Sequence, residues 1–382
     1  MSIYLGGVEK ATCDFANAMV ERGHQVTLLY IDKVEGEPYF QLDGRVHQQN
    51  ILFAHGRQVV SNKLPSYLRV WREVVRCFSQ AEARAINVKC KGCVYGPLLN
   101  RYIEQAHADI IVSCSIPSTT YIVNYTDCHL PIVQMIHDDP PTQWHTFSKV
   151  EMKAAGQCKA MQTLLEYTIP TIRRYFPIIP LHVIGLPVFQ AARLAHPGVF
   201  KDEYIISCVG NVCDRKNQKF LVEAFAELAL SYPEWRLEFW GSCDSAYGKM
   251  ISHLIHSKNL GNQVILKGKT ACVDQVYEHS DIFAIPSKIE SFSLSLSEAM
   301  SAGLPAVGVK TCNGVNSLIQ DGETGYLTDP DVHSYRDALK NLMDDANLRK
   351  NMGEAGRLYV QKYRPEKIWE QWERVLRESM RS

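Results

Sequence analysis

The feature that most constrains this chain is an alternation. Short runs of consecutive apolar residues are separated by longer stretches with helical periodicity, from one end to the other. The runs are Val26–Ile31, Ile110–Cys114, Ile132–Ile136, Gln162–Leu165, Ile205–Val209, Leu237–Trp240, Val264–Leu266, Ile282–Ile285 and Ala306–Val309. A strand with one wet face alternates apolar and polar residues. A strand apolar at successive positions is covered on both faces, as in a parallel sheet. Helical stretches at Val8–Arg22, Phe220–Ser231, Ala246–Lys258 and Tyr335–Asp344 supply the covering layers. The expectation is doubly wound α/β architecture. A length of 382 residues suits two such domains of roughly 150 residues each. Prolines at 177, 180, 187 and 197 interrupt the helical periodicity between Tyr175 and Asp202. The expected division is therefore a first domain at 1–185 and a second at 186–360. The tail Pro365–Arg381 is expected to be a helix. Its stripe of Ile368, Trp369, Trp372, Val375 and Leu376 needs a core to pack on.

Composition excludes more than it assigns. Apolar residues make up 46% and charged residues 21%, so the chain is neither disordered nor fibrous. Lys+Arg is 41 and Asp+Glu is 41, which leaves no global field to hold nucleic acid. No apolar run approaches the ~20 residues needed to span a bilayer. The start Met1–Gly7 has no basic region followed by a long apolar stretch, so it is not expected to be a signal peptide. Twelve scattered cysteines, several inside strand-like runs, read as reduced thiols of a cytoplasmic protein. Cys90 and Cys93 form the one close pair, without a second pair at zinc-ribbon distance. One oddity lies at the start, where Gly6-Gly7 follows only five residues. A glycine turn in a doubly wound domain follows a strand, so the first strand is expected to be short or to lie upstream.

The segment richest in chemistry is Ile282–Val309. Ser291–Ser297 alternates polar and apolar residues, which taken alone suggests a strand. Glu298-Ala299-Met300 favours helix, however, and Gly303 followed by Pro305 is placed like a helix stop. A loop and then a helix starting near Ser293 or Ser295 is the better expectation. Such a start presents free N–H groups and positive partial charge to an anion. Glu290 and Glu298 flank it, with seven residues between them.

Those glutamates, in the setting Pro286-Ser287, Phe292, Glu298-Ala299-Met300 and Gly303-Leu304-Pro305, resemble the retaining GT-B glycosyltransferases of family 4. The resemblance extends over nearly the whole chain. It implies two Rossmann-like domains facing a cleft, with a C-terminal helix (361–382) returning to the first. It implies a nucleotide-diphospho-sugar donor, with UDP the expected nucleotide, bound mainly by the second domain. Glu298 would accept hydrogen bonds from the ribose hydroxyls, and Glu290 would lie near the transferred sugar. The backbone of Phe292, Ser293 and Leu294 would approach the sugar and diphosphate. In Cys208–Gln218, Lys216 matches the family's phosphate-binding lysine. Asn211 stands where the family usually has an arginine, and Arg215 is the candidate to supply that charge. Gly241 matches a glycine near the nucleotide. Gly6-Gly7-Val8-Glu9-Lys10 resembles the N-terminal glycine loop facing donor phosphates and acceptor. His137, after the run Ile132–Ile136, matches a histidine near the transferred sugar, with Asp138 and Asp139 beside it. Ser317 stands where a glutamate is usual, with Asn316 its neighbour. Asp329-Pro330-Asp331 is formally Asp-x-Asp but lies in a late turn, and the resemblance implies neither metal nor cofactor. The implied acceptor is a glycan or lipid-linked glycan in cell-surface polysaccharide or lipopolysaccharide assembly. Two alternatives stay open: a nucleotide-sugar-binding protein without transfer, and an epimerase on the same architecture.

One charged region remains. From Arg57 to Arg101 nine cations stand against Glu73 and Glu82. Leu64, Leu68, Trp71, Val75 and Phe78 recur at near-helical spacing, with Arg69, Arg72 and Arg76 between them. Such a helix suits peripheral contact with an anionic membrane, at the inner face of the cytoplasmic membrane, or packing on the first domain with a solvated basic face.

Overall fold

The computed structural model describes residues 7–32, 36, 40–54, 57–60 and 63–381. The chain forms two compact units. One runs to Gly185 and takes in the chain again from Ile368 onward; the other is Leu186–Lys367.

In the first unit, strands Ile111–Ser113, Ile132–Ile136, Ala160–Thr163 and Leu181–Val183 form a four-stranded parallel sheet in that order. Thr27–Tyr30 and His47–Asn50 pair in parallel as a separate ribbon, and Phe53–Ala54 with Arg57–Gln58 makes a short antiparallel hairpin. The second strand of the sheet is buried at all five positions, as its unbroken apolar run requires. Its one polar residue, Gln134, donates through Nε2 to the carbonyl of Ser113 at 3.0 Å, and its Oε1 accepts from the Thr119 hydroxyl, so its own buried amide is met. Two long helices, Gln80–Ala106 and Ile116–Tyr125, cross closely. At the crossing a Cβ on Gly96 would lie 2.1 Å from the carbonyl oxygen of Tyr125. The C-terminal helix Pro365–Arg381 buries Ile368, Trp369, Trp372, Val375 and Leu376. Trp372 meets Phe15 of helix Gly7–Glu21 edge-on at 5.0 Å.

The second unit is a six-stranded, all-parallel sheet. Its order is Val264–Gly268, Trp235–Trp240, Tyr204–Val209, Ile282–Ile285, Ala306–Val309, Gly325–Thr328. The chain starts at Tyr204–Val209, builds outward on one side, and then returns to build on the other. Strand order therefore reverses between Tyr204–Val209 and Ile282–Ile285. In open parallel sheets that reversal opens a crevice at the carboxyl ends of the strands. The core packs Phe225, Trp235, Phe239, Ile282 and Tyr335 among its buried side chains.

Helix Leu294–Ser301 forms where the sequence reading placed it, and the alternating pattern of Ser291–Ser297 does not become a strand. Its C-terminus is a Schellman turn. Leu304 N–H donates to the Ala299 carbonyl at 3.1 Å, and Gly303 N–H to that of Met300 at 2.9 Å. The turn requires φ of +89° at Gly303, a value glycine adopts without strain. Other boundaries shift. The expected Gln162–Leu165 strand is Ala160–Thr163, and the expected Phe220–Ser231 helix is Gln218–Ala226.

Helix Ala346–Tyr359 crosses the end of Leu294–Ser301 so closely that a Cβ on Gly353 would lie 2.0 Å from the Gly303 carbonyl oxygen. Gly353→Ala must push the two elements apart, at a cost of about 1–3 kcal/mol. The expected outcome is a lower urea midpoint with unchanged slope in chemical denaturation. An unaltered midpoint would show that the crossing yields freely.

Candidate functional site

Two loops leave adjacent strand ends at the reversal of the second sheet. One runs from Gly210 to Gln218 and the other from Pro286 to Ser293. They are stitched together along their length. Lys288 N–H donates to the Arg215 carbonyl at 2.9 Å. Asn217 Nδ2 donates to the Pro286 carbonyl at 3.3 Å, and Arg215 Nη1 to that of Ile289 at 3.0 Å. Lys288 Nζ also pairs with Asp214 at 2.8 Å.

Both cations of the first loop converge on one carboxylate. Lys216 Nζ lies 2.6 Å from Glu290 Oε1, and Arg215 Nη1 lies 3.2 Å from Oε2. Glu290 is 8% exposed. Burial alone would raise its pKa. The Lys216 charge and hydrogen bond, with the Arg215 charge beside them, outweigh burial and hold it below the usual carboxylate range. The glutamate is thus an anion at neutral pH inside a site whose local charge is positive. Lys216 is largely enclosed, whereas the side chain of Arg215 is 53% exposed. The lysine is the enclosed member of the pair and the arginine the exposed one.

Four residues beyond Glu290 the helix Leu294–Ser301 begins. Ser293 is its N-cap residue, but the side chain caps none of its N–H groups. The Ser293 hydroxyl is buried and has no hydrogen-bond partner among the described residues. An uncapped helix start with an unmet hydroxyl beside it is a receptor for an anion. Phe292 is buried and meets Tyr363 edge-on at 5.2 Å, which fixes the backbone leading into that start. Leu294 is half-buried. Glu298, also half-buried, lies just over one turn along. Its Oε2 accepts a hydrogen bond from the Tyr277 hydroxyl at 3.3 Å, and Tyr277 also donates to the Ser295 carbonyl at 3.2 Å.

Two glycines let the loops approach. A Cβ on Gly241, whose φ is +145°, would lie 2.3 Å from the Gly210 carbonyl oxygen. Gly210, at φ +148°, lies against the stem of Lys216, where a Cβ would come within 3.2 Å of Cε. Gly241 therefore has a packing reason in the structure, beyond the closeness to a nucleotide that the resemblance implied. Asn211 does not replace a cation. Its Oδ1 accepts from Ser242 N–H at 3.2 Å, and its carbonyl accepts from Gln218 Nε2 at 3.1 Å. Asn316 and Ser317 are likewise used locally, on the Lys310 and Asn313 carbonyls at 2.8 Å each. Asp331 caps helix Val332–Asp344 and Asp329 pairs with Lys310, so the Asp-x-Asp carboxylates serve the turn.

The first unit carries the remaining candidates. Gly6 lies outside the described residues. Gly7 opens helix Gly7–Glu21, and a Cβ there would meet nothing within 4 Å among the described residues. His137 leaves the carboxyl end of strand Ile132–Ile136. Its Nε2 is enclosed, with no hydrogen-bond partner among the described residues. Burial pushes its pKa down to about 4, so the ring is neutral at pH 7. Burial raises the Asp138 carboxyl, against the pull of the Arg84 charge. Asp139 is 2% exposed and accepts from Thr142 Oγ1 at 2.8 Å and from the Tyr167 hydroxyl at 3.0 Å. It is part of the scaffold.

Residues 192–359 match the family described as glycosyl transferases group 1. The matched residues make up most of the second unit. The chain is 24% identical to an uncharacterised glycosyltransferase of Haemophilus influenzae, across 97% of this chain and 96% of that one. A structure of HepE from Anabaena, in complex with UDP and glucose, superposes with a TM-score of 0.73 at 17% identity, covering 97% of this chain and 96% of that one. The apo form of the lipopolysaccharide outer core galactosyltransferase WaaB superposes with a TM-score of 0.71 at 15% identity, covering 98% and 96%. At such identities the likeness carries the fold, which is GT-B.

Within the residues matched by that family lie Asn211, Arg215, Lys216, Gly241, Glu290, Phe292, Ser293, Leu294 and Glu298. Sequence reasoning missed Tyr277 and Gly210. Tyr277 carries no motif signal and is placed only by packing. Gly210 was visible as the residue before Asn211, where a strand must turn sharply. His137 yields a pH prediction. Its folded pKa of about 4 lies below an unfolded value of about 6.5. Between the two the unfolded chain binds more protons, so stability rises with pH across that window and is lost on acidification. His137→Gln should flatten this rise. The comparison is between urea midpoints at pH 5 and pH 7, and an equal difference in both proteins would exclude His137 as the group.

Proposed function

We propose that the protein transfers a sugar from a nucleotide-diphospho-sugar to a glycan or lipid-linked acceptor in cell-surface polysaccharide or lipopolysaccharide assembly. The transfer retains anomeric configuration and uses no metal. One observation carries this reading: Lys216 and Arg215 converge on Glu290 beside an uncapped helix start, at the strand-order reversal of the second unit. That is two cations and a set of free N–H groups for one diphosphate. They are held in place before charge develops on the leaving group, which is where preorganised donors act most strongly. In this reading Lys216 exchanges its partner Glu290 for a phosphate oxygen, and Arg215, the more exposed of the two, follows. Glu290, released but still ionised, faces the transferred sugar. Glu298 accepts the ribose hydroxyls, steadied by Tyr277. His137, Gly6 and Gly7 are assigned to the sugar and acceptor. No side chain of this set is an evident covalent nucleophile, so the departing phosphate assists the acceptor on the same face. Support for UDP comes from the complex of HepE with UDP and glucose, and support for a surface glycan from WaaB, a lipopolysaccharide outer core galactosyltransferase.

A binding-only reading has one observation behind it. Asn211 and Ser317, which depart from the family pattern, are both engaged locally and bring no charge. Turnover with an intact acceptor would remove that reading.

Thermal melts with UDP, GDP, ADP and their sugars test the proposal. Ligand at one hundred times its Kd adds ~2.7 kcal/mol, a shift of about 5–11 °C for a unit of this size. The expected outcome is a shift selective for one nucleotide. Lys216→Ala and Glu298→Ala should each weaken binding by roughly 10- to 150-fold, the range for a hydrogen bond to a charged group. Unchanged affinities would remove both residues from the site. Inversion at the anomeric carbon of the product, read by NMR, would overturn the retaining mechanism.

A further inference from the structure

In the basic region, the arginines of helix Ser66–Arg76 are engaged locally. Arg72 and Arg76 hold Glu73, Arg72 also donates to Asn87 at 3.1 Å, and Arg69 turns back to the Leu64 carbonyl. Leu64 is buried and Leu68 and Val75 are half-buried, whereas Tyr67, Val70, Trp71 and Val74 are exposed. The apolar stripe read from the sequence thus ran across both sides of that helix. Arg84, near the start of helix Gln80–Ala106, is held differently. Its Nε donates to both oxygens of Glu151, at 2.8 and 3.0 Å. Glu151 is fully buried, and its Oε2 also accepts from the Ser148 N–H and hydroxyl, at 3.0 and 2.8 Å. The guanidinium lies over Phe147, with Cζ 4.1 Å from the ring centroid. An arginine and a carboxylate commonly pair fork to fork, through two parallel N–H groups. Here Glu151 takes Nε alone, and neither Nη has a partner among the described residues. Both Nη groups meet solvent, on a side chain that is 35% exposed.

Phe147 and Glu151 lie on the chain that leaves the carboxyl end of strand Ile132–Ile136 through His137 and Asp138. Ligands collect at the carboxyl ends of doubly wound sheets. The Arg84 charge acts on the Asp138 carboxyl, yet no bond joins the two. His137, next to Asp138, holds an enclosed and unpartnered Nε2. We propose that Arg84 receives an oxyanion of the acceptor, a phosphate or a carboxylate, on its two free Nη groups, so that the acceptor is anionic. The proposal rests on the sugar-transfer reading and names the acceptor chemistry that reading leaves open. A guanidinium tied at Nε and stacked on a ring is already oriented, so little freedom is lost when it takes a second anion. Its planar Nη edge matches two oxygens of one phosphate or carboxylate.

The experiment is titration of inorganic phosphate, glucuronate and detergent-dispersed farnesyl phosphate into the full chain saturated with UDP, which keeps Lys216 and Arg215 occupied. The wild type is expected to bind at least one of the three. Tightest binding of farnesyl phosphate would assign the oxyanion to a lipid carrier, and tightest binding of glucuronate to an acidic sugar. Arg84→Lys keeps a cation for Glu151 but loses the Nη edge. It should weaken that binding by roughly 10- to 150-fold, the range for a hydrogen bond to a charged group, with UDP affinity unchanged. A second measurement needs neither variant nor UDP. Phenylglyoxal, an arginine reagent, should label Arg84, as read by peptide mass. At least one of the three oxyanions should slow that labelling, and glycerol should not. Three results overturn the proposal: no binding of any oxyanion by the wild type, equal binding by Arg84→Lys, or labelling of Arg84 that is absent or that no oxyanion slows. Failure of UDP itself to bind counts against the sugar-transfer reading instead. In that case, or if Arg84→Lys does not fold, the labelling decides.

Discussion

The second unit is organised around one buried ion pair. Taking Lys216 and Glu290 out of water is costly, and a buried charge without its partner is strongly destabilising. At 2.6 Å each is the other's partner, so the two loops that carry them are fixed together. The stitches around the pair follow from it. Lys288 reaches the backbone of the opposite loop, as do Arg215 and Asn217, and the paired glycines at 210 and 241 remove the Cβ atoms that would hold the turns apart. In the proposed transfer the resting pair is also a placeholder, which holds Lys216 with Arg215 beside it until an anion of higher charge competes for both.

The sheet explains why the pair lies where it does. All six strands are parallel, so every strand delivers its carboxyl end to the same edge. At the reversal of strand order two of those ends lie side by side, and the loops that leave them carry Lys216 and Glu290. The helix that begins there is anchored at its far end by the Schellman turn and by the contact of Gly353 with Gly303. Its near end is left without a cap. A helix stopped firmly at one terminus and bare at the other presents its free N–H groups at a fixed place.

Legibility varied with how completely each segment is enclosed. Ile132–Ile136, Ile282–Ile285 and Ala306–Val309 match their expected limits residue for residue. Each is buried on both faces, so apolar identity alone marks it. His47–Asn50 and Leu181–Val183 went unseen because they lie at the edges of their sheets and are only partly covered. The helix at Leu294–Ser301 was recoverable against its alternating pattern because Gly303 and Pro305 punctuate it. Lys216, Glu290 and Glu298 stood out by motif, but nothing in their spacing said that Lys216 and Arg215 would share Glu290. The stripe on the helix Ser66–Arg76 was misdrawn for a related reason. Both sides of that helix carry apolar residues, and periodicity cannot say which side the neighbouring helix covers.

By itself the sequence determined the class of fold, its parallel strands, the helix following Glu290 and the residue types gathered around it. Those features are written in patterns a few residues long: burial on successive positions, the conformational reach of glycine, the break imposed by proline. Only the tertiary structure decided which charges meet, that Asn211 braces a turn instead of carrying charge, that Tyr277 stands behind Glu298, and that Tyr67, Val70 and Val74 face outward. Each of those joins segments far apart in the chain or depends on what lies across a surface. No local pattern records the partner, because it is the packing of the sheet and its helices that brings the two together.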